Sequence, residues 1–375
     1  MQPEKQSNSL TKQILQSISG AGLIPFLAIL TAMILGGILI IIVGGNPFLA
    51  YKGLIEGSLG SQKALSETAV WATPYIFAGL AVALAFKGGL FNIGAEGQLA
   101  VGAVFSALIG YALPEWLGFD LPAIIHIPLA VLSGMLMGGI WAGIVGALKA
   151  YTGGHEVINT IMMNYIALNT TSFLLNGVMK DNSPNNVSAR TPLIAESARI
   201  SPIFEGLRVH WGFVLALLVA FLIWWLLNKT TLGFEIRTAG SNPDAAKYAG
   251  INVKRTIILT MLFSGMLAGL AGSIEVTGLN YRHELGFSVG YGYDAIAIAL
   301  LGKSHPLGIV LSAFLFAAMR NGATRMQFLT QMPVDLISML QALILLFVAA
   351  DAIVRYIYRI KSKGERVVLT RGWGG

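Results

Sequence analysis

Residues 88–103 read Gly-Gly-Leu-Phe-Asn-Ile-Gly-Ala-Glu-Gly-Gln-Leu-Ala-Val-Gly-Ala and lie between two apolar helical runs. Asn92, Glu96 and Gln98 are too polar for lipid, and glycines at 88, 89, 94, 97 and 102 loosen the backbone around them. A bilayer tolerates broken backbone and an ionisable side chain only where protein or a water-filled cavity surrounds them. Glycine also permits close helix approach and backbone angles closed to other residues. The stretch therefore predicts a built part of a transmembrane pathway inside an all-α, polytopic membrane protein.

Composition points the same way. The chain has 375 residues, 55% hydrophobic and 11% charged, and its mean hydropathy is +0.70. That charge fraction is roughly half what a soluble domain carries. Apolar runs close to the ~20 residues that cross a bilayer recur along the whole length. They predict about ten transmembrane or partly embedded helices, near 23–44, 69–86, 95–113, 122–148, 156–177, 211–228, 256–276, 291–303, 306–320 and 334–351. The eighth is too short to span unless it tilts or joins a re-entrant turn at His305-Pro306. The membrane-embedded body is thus 23–351, flanked by polar tails at 1–22 and 352–375. The run at 23–44 is too long for the apolar core of a cleaved signal and reads as a first anchor.

Two function classes drop out early. Cysteine is absent, which excludes disulfides, thiolate catalysis and cysteine-held metals. A net charge of +7 does not imply nucleic acid, because no surface interleaves basic and aromatic residues. In a membrane protein excess Lys and Arg marks the cytoplasmic side. With ten crossings both termini share one side, and the loops on that side hold 16 Lys and Arg against 9 on the other. Both termini are expected inside. The loop at 178–210 is then external, with Pro184, Pro192 and Pro202, and the polar loop at 229–255 is cytoplasmic. A weak internal repeat pairs 81–85 with 295–299 and 101–108 with 307–314.

Apparent catalytic motifs fail on inspection. Gly302-Lys303-Ser304 imitates the end of a phosphate-binding loop, but position 297 is Ala and His305-Pro306 disrupts the helix that must follow. His155-Glu156 lacks the second histidine of a zinc helix. The cytoplasmic loop has clearer grammar. Asn242 suits a helix cap with Pro243 at the first position, Asp244 complements the dipole, Ala245 to Ala249 continue, and Gly250 stops the helix. A second helix begins at Asn252 and runs into the next membrane segment. So short a helix is unstable alone in water and makes sense docked into a partner's groove, although an ordinary connection fits the same residues.

Gly89-Leu-Phe-Asn-Ile-Gly-Ala-Glu-Gly-Gln98 resembles the signature of permease subunits of ABC importers in the ribose/branched-chain amino acid group. Gly240-Ser-Asn-Pro-Asp-Ala-Ala-Lys-Tyr-Ala-Gly-Ile251 resembles the coupling loop of those permeases, and Asp294-Ala-Ile-Ala-Ile-Ala-Leu-Leu-Gly302 also fits. Gly153-Gly-His-Glu-Val-Ile-Asn-Thr-Ile-Met-Met-Asn-Tyr165 is similar to the nucleoside branch. The likeness extends over roughly 25–350 and departs at Gly302-Lys-Ser-His-Pro306, where the family continues Gly-Gly.

The resemblance implies a transport subunit of a bacterial plasma membrane that performs no hydrolysis and binds no cofactor or metal of its own. ATP and Mg would sit on a cytoplasmic ABC ATPase gripping Arg237, Asn242, Pro243, Asp244, Ala245, Ala246, Tyr248 and Gly250. A second, related permease chain would complete the pore, and an extracytoplasmic solute-binding lipoprotein would deliver solute. Along the path, Glu156, Thr160 and Asn164 fall on one helical stripe, with Phe91, Asn92, Glu96 and Gln98 at the glycine break. Phe91 and Tyr165 have rings able to stack on a nucleobase. Any one of these residues serves equally well as interhelical glue. Three other readings stay open here. One is an ion-coupled secondary transporter using Glu156, Glu275 or Asp294 as proton carriers; another is a passive channel; the third is an ABC permease for sugars or branched-chain amino acids.

Overall fold

The computed structural model describes residues 26–184, 186–331, 333, 335–349, 353–354 and 357–358. The expected tail at 1–22 and most of the one beyond 352 lie outside the described residues. The ten expected segments are all helical: α1 (Phe26–Ile42), α3 (Gln62–Lys87), α4 (Ala95–Leu117), α5 (Ala123–Thr152), α6 (Glu156–Asn176), α7 (Trp211–Lys229), α10 (Val253–Glu275), α11 (Tyr291–Leu301), α12 (Pro306–Thr330) and α13 (Asp335–Ala349). Six of them are long and apolar enough to cross a bilayer: α3, α4, α5, α7, α12, and α10 with its continuation to Asn280. At 11 residues α11 rises about 16 Å, half the hydrocarbon thickness, and a turn at 302–305 separates it from α12.

Two helices were not legible as such. α2 (Pro47–Leu59) and α8 (Thr231–Ser241) occupy stretches expected to be loops. Both are too short and polar to register as spans, and each is held locally, α2 by Asn46 accepting from the Phe48 N–H at 2.9 Å and α8 by the Thr230 cap. The loop expected at 320–333 is largely helix, since α12 runs on to Thr330 through Arg320 and Arg325. The short helix predicted around 243–249 is α9 (Pro243–Tyr248).

The chain forms two compact units. In the smaller one α1 meets α2 and α13. Tyr51 donates to the Met33 carbonyl at 2.5 Å, and Leu340 lies against Gly36. The larger unit, 58–321, holds the site. Its centre is α3, buried over nearly its whole length after Ser66. Around it α5 and α10 cross so closely that added methyl groups at Gly138, Gly265 or Gly269 would strike the opposing backbone. These Gly-xxx-Gly pairs drive association where lipid offers no hydrophobic gain. The loop at 178–210 folds back onto the bundle, placing Ile194 and Ala198 against Ala103, Ala107 and Val276. Segments expected on the same side meet one another: the backbone at Arg190 runs antiparallel to that at Glu284 in an isolated β-bridge and Arg208 pairs with Glu67 at 3.0 Å, while Lys254 lies over Tyr151.

Candidate functional site

The glycine break starts where α3 stops. Gly89 adopts φ +70°, and the Gly89 and Leu90 amides donate back to Phe86 and Ala85 carbonyls at 3.0 Å each, a left-handed helix stop that suits glycine. Asn92 is fully buried. Its amide nitrogen donates to Gln98 Oε1 (2.9 Å) and Ser264 Oγ (2.8 Å), and its oxygen accepts from the Gly94 N–H and Gln98 Nε2. The Ser264 hydroxyl in turn donates to the Ala81 carbonyl at 2.7 Å. Asn164 reaches in from α6, donating to the Ile93 carbonyl and accepting from the Gly97 N–H, both at 2.9 Å. Each group is paired, as low-dielectric surroundings require. Five residues from α3, α4, α6 and α10 are thereby fastened to the break.

Glu96 sits at the next turn. Its carboxylate accepts from Ser288 Oγ (2.5 Å) and from the Gly292 N–H (2.7 Å) at the start of α11. A carboxylate there complements the positive end of the half-length helix. Nearby, Tyr75 donates to Asp294 (2.7 Å), Arg320 lies 3.7 Å from the same carboxylate, and Tyr75 meets Tyr291 edge-on. The remaining expected path residues behave differently. Thr160 is buried and bonds to its own backbone at Glu156, Glu156 pairs with Lys149 at 2.9 Å, and Phe91 packs on Phe86.

A cavity of about 420 Å³ opens beside this cluster, lined by Trp71, Arg208, Glu275, Asn280, Phe287 and Tyr291 among others. Trp71, Arg208 and Tyr291 carried no signal in the sequence, because their role depends on loops meeting a helix start far away in the chain. Two buried histidines hold the loops that roof it. His210 caps α7, accepting from the Gly212 N–H; burial lowers its pKa to about 4, with Arg208 adding to the effect. His283 packs edge-on against Phe287, its backbone N–H donates to Thr191, and burial lowers its pKa to about 3. Both imidazoles are neutral at pH 7. Among the described residues no group of three His, Cys, Asp or Glu side chains is placed to hold a metal.

At the other end of the larger unit lie α8 and α9. The Asn242 side chain accepts from the Ala245 N–H at 3.0 Å, as its cap role requires, Pro243 is in the first turn with Asp244, and Gly250 turns left-handed at φ +80°. Asn252 caps α10. A groove of about 390 Å³ runs between the two short helices, lined by Phe234, Arg237, Thr238, Ser241, Asn242 and Ala245. Tyr248 is 95% exposed, whereas Ala246 is fully buried and faces the bundle. The inner side of α8 carries the most informative contact. A methyl group on Gly240 would strike the backbone of Lys87, Gly88 and Gly89, and one on Gly89 would strike Gly240. The short helices and the glycine break therefore touch backbone to backbone.

A polytopic helical bundle with a paired polar break at its heart and a capped, exposed short helix at one end has the architecture of a membrane transport subunit. Residues 64–349 match the family described as branched-chain amino acid transport system / permease component, and the chain belongs to that family. It is 41% identical to the guanosine ABC transporter permease protein NupP of Bacillus subtilis, covering 91% of this chain and 97% of that one. It is 36% identical to the nucleoside ABC transporter permease protein NupB of Lactococcus lactis (88% and 92% covered). With the glucose ABC transporter permease protein of Haloferax volcanii the identity is 33% over 86% of each chain. No solved structure matches the chain significantly. Family membership sets aside the ion-coupled and passive-channel readings.

Proposed function

We propose that this chain is one of two membrane-spanning subunits of an ATP-binding cassette importer that carries nucleosides inward across a bacterial plasma membrane. The single observation that carries the coupling is the Gly240 contact with Gly88 and Gly89. A cytoplasmic ATPase seated in the groove beside Arg237 and Asn242, with Tyr248 at its edge, moves α8 and α9 as it closes on ATP. No side chain cushions the Gly240 contact, so that displacement passes to the break. From there the Asn92–Gln98–Ser264 bonds carry it to α10, Asn164 to α6, and Glu96 to α11.

The nucleoside assignment draws on the two relatives named for nucleoside and guanosine transport, and the cavity chemistry is compatible with it. Trp71, Phe287 and Tyr291 offer faces for a flat heterocycle, and Glu275 and Asn280 offer partners for ribose hydroxyls. The excess of Lys and Arg supports a cytoplasmic position for α8 and α9 and an outward-facing cavity, to which a solute-binding protein delivers its load. ATP and Mg belong to the ATPase subunit. Competition tests the substrate. Vesicles holding the complete transporter should take up labelled guanosine, and excess unlabelled inosine should suppress that uptake while excess glucose or leucine leaves it unchanged. Suppression by glucose instead assigns the chain to the sugar branch.

A further inference from the structure

We infer that the outer half of α6 lines the solute path with one polar stripe, Tyr165, Asn169, Ser172 and Asn176, and that it contacts the nucleoside there. The spacing of four, three and four residues places all four on one face of the helix. Tyr165 is 62% exposed, Asn169 and Asn176 are exposed and Ser172 is half-buried. The stripe covers about 16 Å of helix, half the hydrocarbon thickness. Although 21 residues long, α6 is not among the helices apolar enough to cross a bilayer. Lipid is a poor neighbour for such a face.

Two observations separate a wet path from dry packing against a second subunit. Asn164 on the buried face reaches across to Ile93 and Gly97, as interhelical glue does. Asn169 and Asn176 instead donate to carbonyls of their own helix, at Tyr165 (2.7 Å) and Ser172 (2.8 Å). The stripe also runs onto a polar neighbour. Tyr293 of α11, 50% exposed, interacts with Asn164 and lies near Tyr165 and Glu96, and Asp294 beside it is more than a quarter exposed together with its partner Arg320. An ion pair left partly exposed at this depth calls for water. Two tyrosines with an amide between them suit a flat, uncharged, hydrogen-bonding solute, so the inference rests on the nucleoside reading for the identity of that solute.

The absence of cysteine makes the test free of background in this chain. Asn169→Cys and Ser172→Cys are introduced singly in the full transporter in membrane vesicles, with Phe221→Cys on the apolar face of α7 as control, and treated with a water-soluble maleimide–polyethylene glycol read as a mass shift of this chain. The stripe positions should label at least tenfold faster than position 221, and guanosine should slow them severalfold. No labelling, labelling equal to that at 221, or labelling that guanosine leaves unchanged overturns the inference. Tyr165→Ala should raise the half-saturating guanosine concentration about tenfold, the size of a lost base–aromatic stack, while Tyr165→Phe restores it; equal behaviour of the two variants also contradicts it. Failure of the nucleoside reading itself looks different: wild-type vesicles take up no guanosine, yet the stripe still labels and another transported solute protects it.

Discussion

The glycine break at 88–98 and the short helices at 231–250 are both polar interruptions in an apolar chain, but they spend their polarity in opposite ways. At the break every amide turns inward. Asn92, Gln98 and Ser264 satisfy one another, Asn164 pairs with the backbone of Ile93 and Gly97, and none is open to solvent. In α8 and α9 the caps satisfy only the backbone, leaving Arg237 on a groove and Tyr248 in the open. The first arrangement fixes helices against each other, and the second waits for a partner. The two meet at Gly240. Substitutions should therefore divide cleanly between lost stability and lost coupling.

The largest effect is expected where the regions touch. Gly240→Val inserts a side chain between two backbones, an overpacking of about 3 kcal/mol or more, and should abolish uptake and lower the thermal midpoint of the purified complex by several degrees. A wild-type midpoint with wild-type uptake would remove the contact from the mechanism. Next comes the interior of the break. Asn92→Ala strands Gln98, Ser264 and the Gly94 amide, at a cost of about 1–3 kcal/mol, so thermal stability should drop alongside uptake. Loss of uptake at unchanged stability would instead make Asn92 a solute ligand.

The outer loops add a pH dependence that neither region shares. His210 and His283 are neutral when packed, with pKa values lowered to about 4 and about 3, while a released imidazole titrates near 6.5. The loops are then fully held above about pH 6.5. They lose at most ~1.4 kcal/mol per histidine for each pH unit below it, down to those lowered values. Protease cleavage within 178–210 should accelerate from pH 6.5 to pH 4.5, and a flat profile counts against the buried histidines. The smallest stability effect belongs to Tyr248→Ala, within ~0.5 kcal/mol because the ring touches little, even though nucleoside uptake should be lost.

Local rules carried much of this organisation. Apolar length found ten helices, six of them long and apolar enough to cross a bilayer, and cap chemistry at Asn242, Pro243, Gly250 and Asn252 located α9 and the start of α10. The same rules trimmed polar turns, which is why α12 was cut before Arg320, and they passed over α2 and α8 as too short. The stripe at Glu156, Thr160 and Asn164 was read with the right period, and the structure buries Thr160 and Asn164 against the bundle while Glu156 pairs with Lys149; period alone cannot say which way a helix is turned. The Gly240–Gly89 contact and the Glu96–Gly292 bond join residues about 150 and 200 positions apart in the chain, and no local pattern encodes such a meeting.

Guanosine uptake and ATP hydrolysis, followed on the same proteoliposomes containing this chain with the ATPase, second permease and binding protein proposed for it, test the account most directly. Uptake should require ATP, and Tyr248→Ala should abolish uptake together with its coupled hydrolysis while the complex keeps its wild-type thermal midpoint. Uptake at the wild-type rate under an ion gradient, with the ATPase left out, would contradict it.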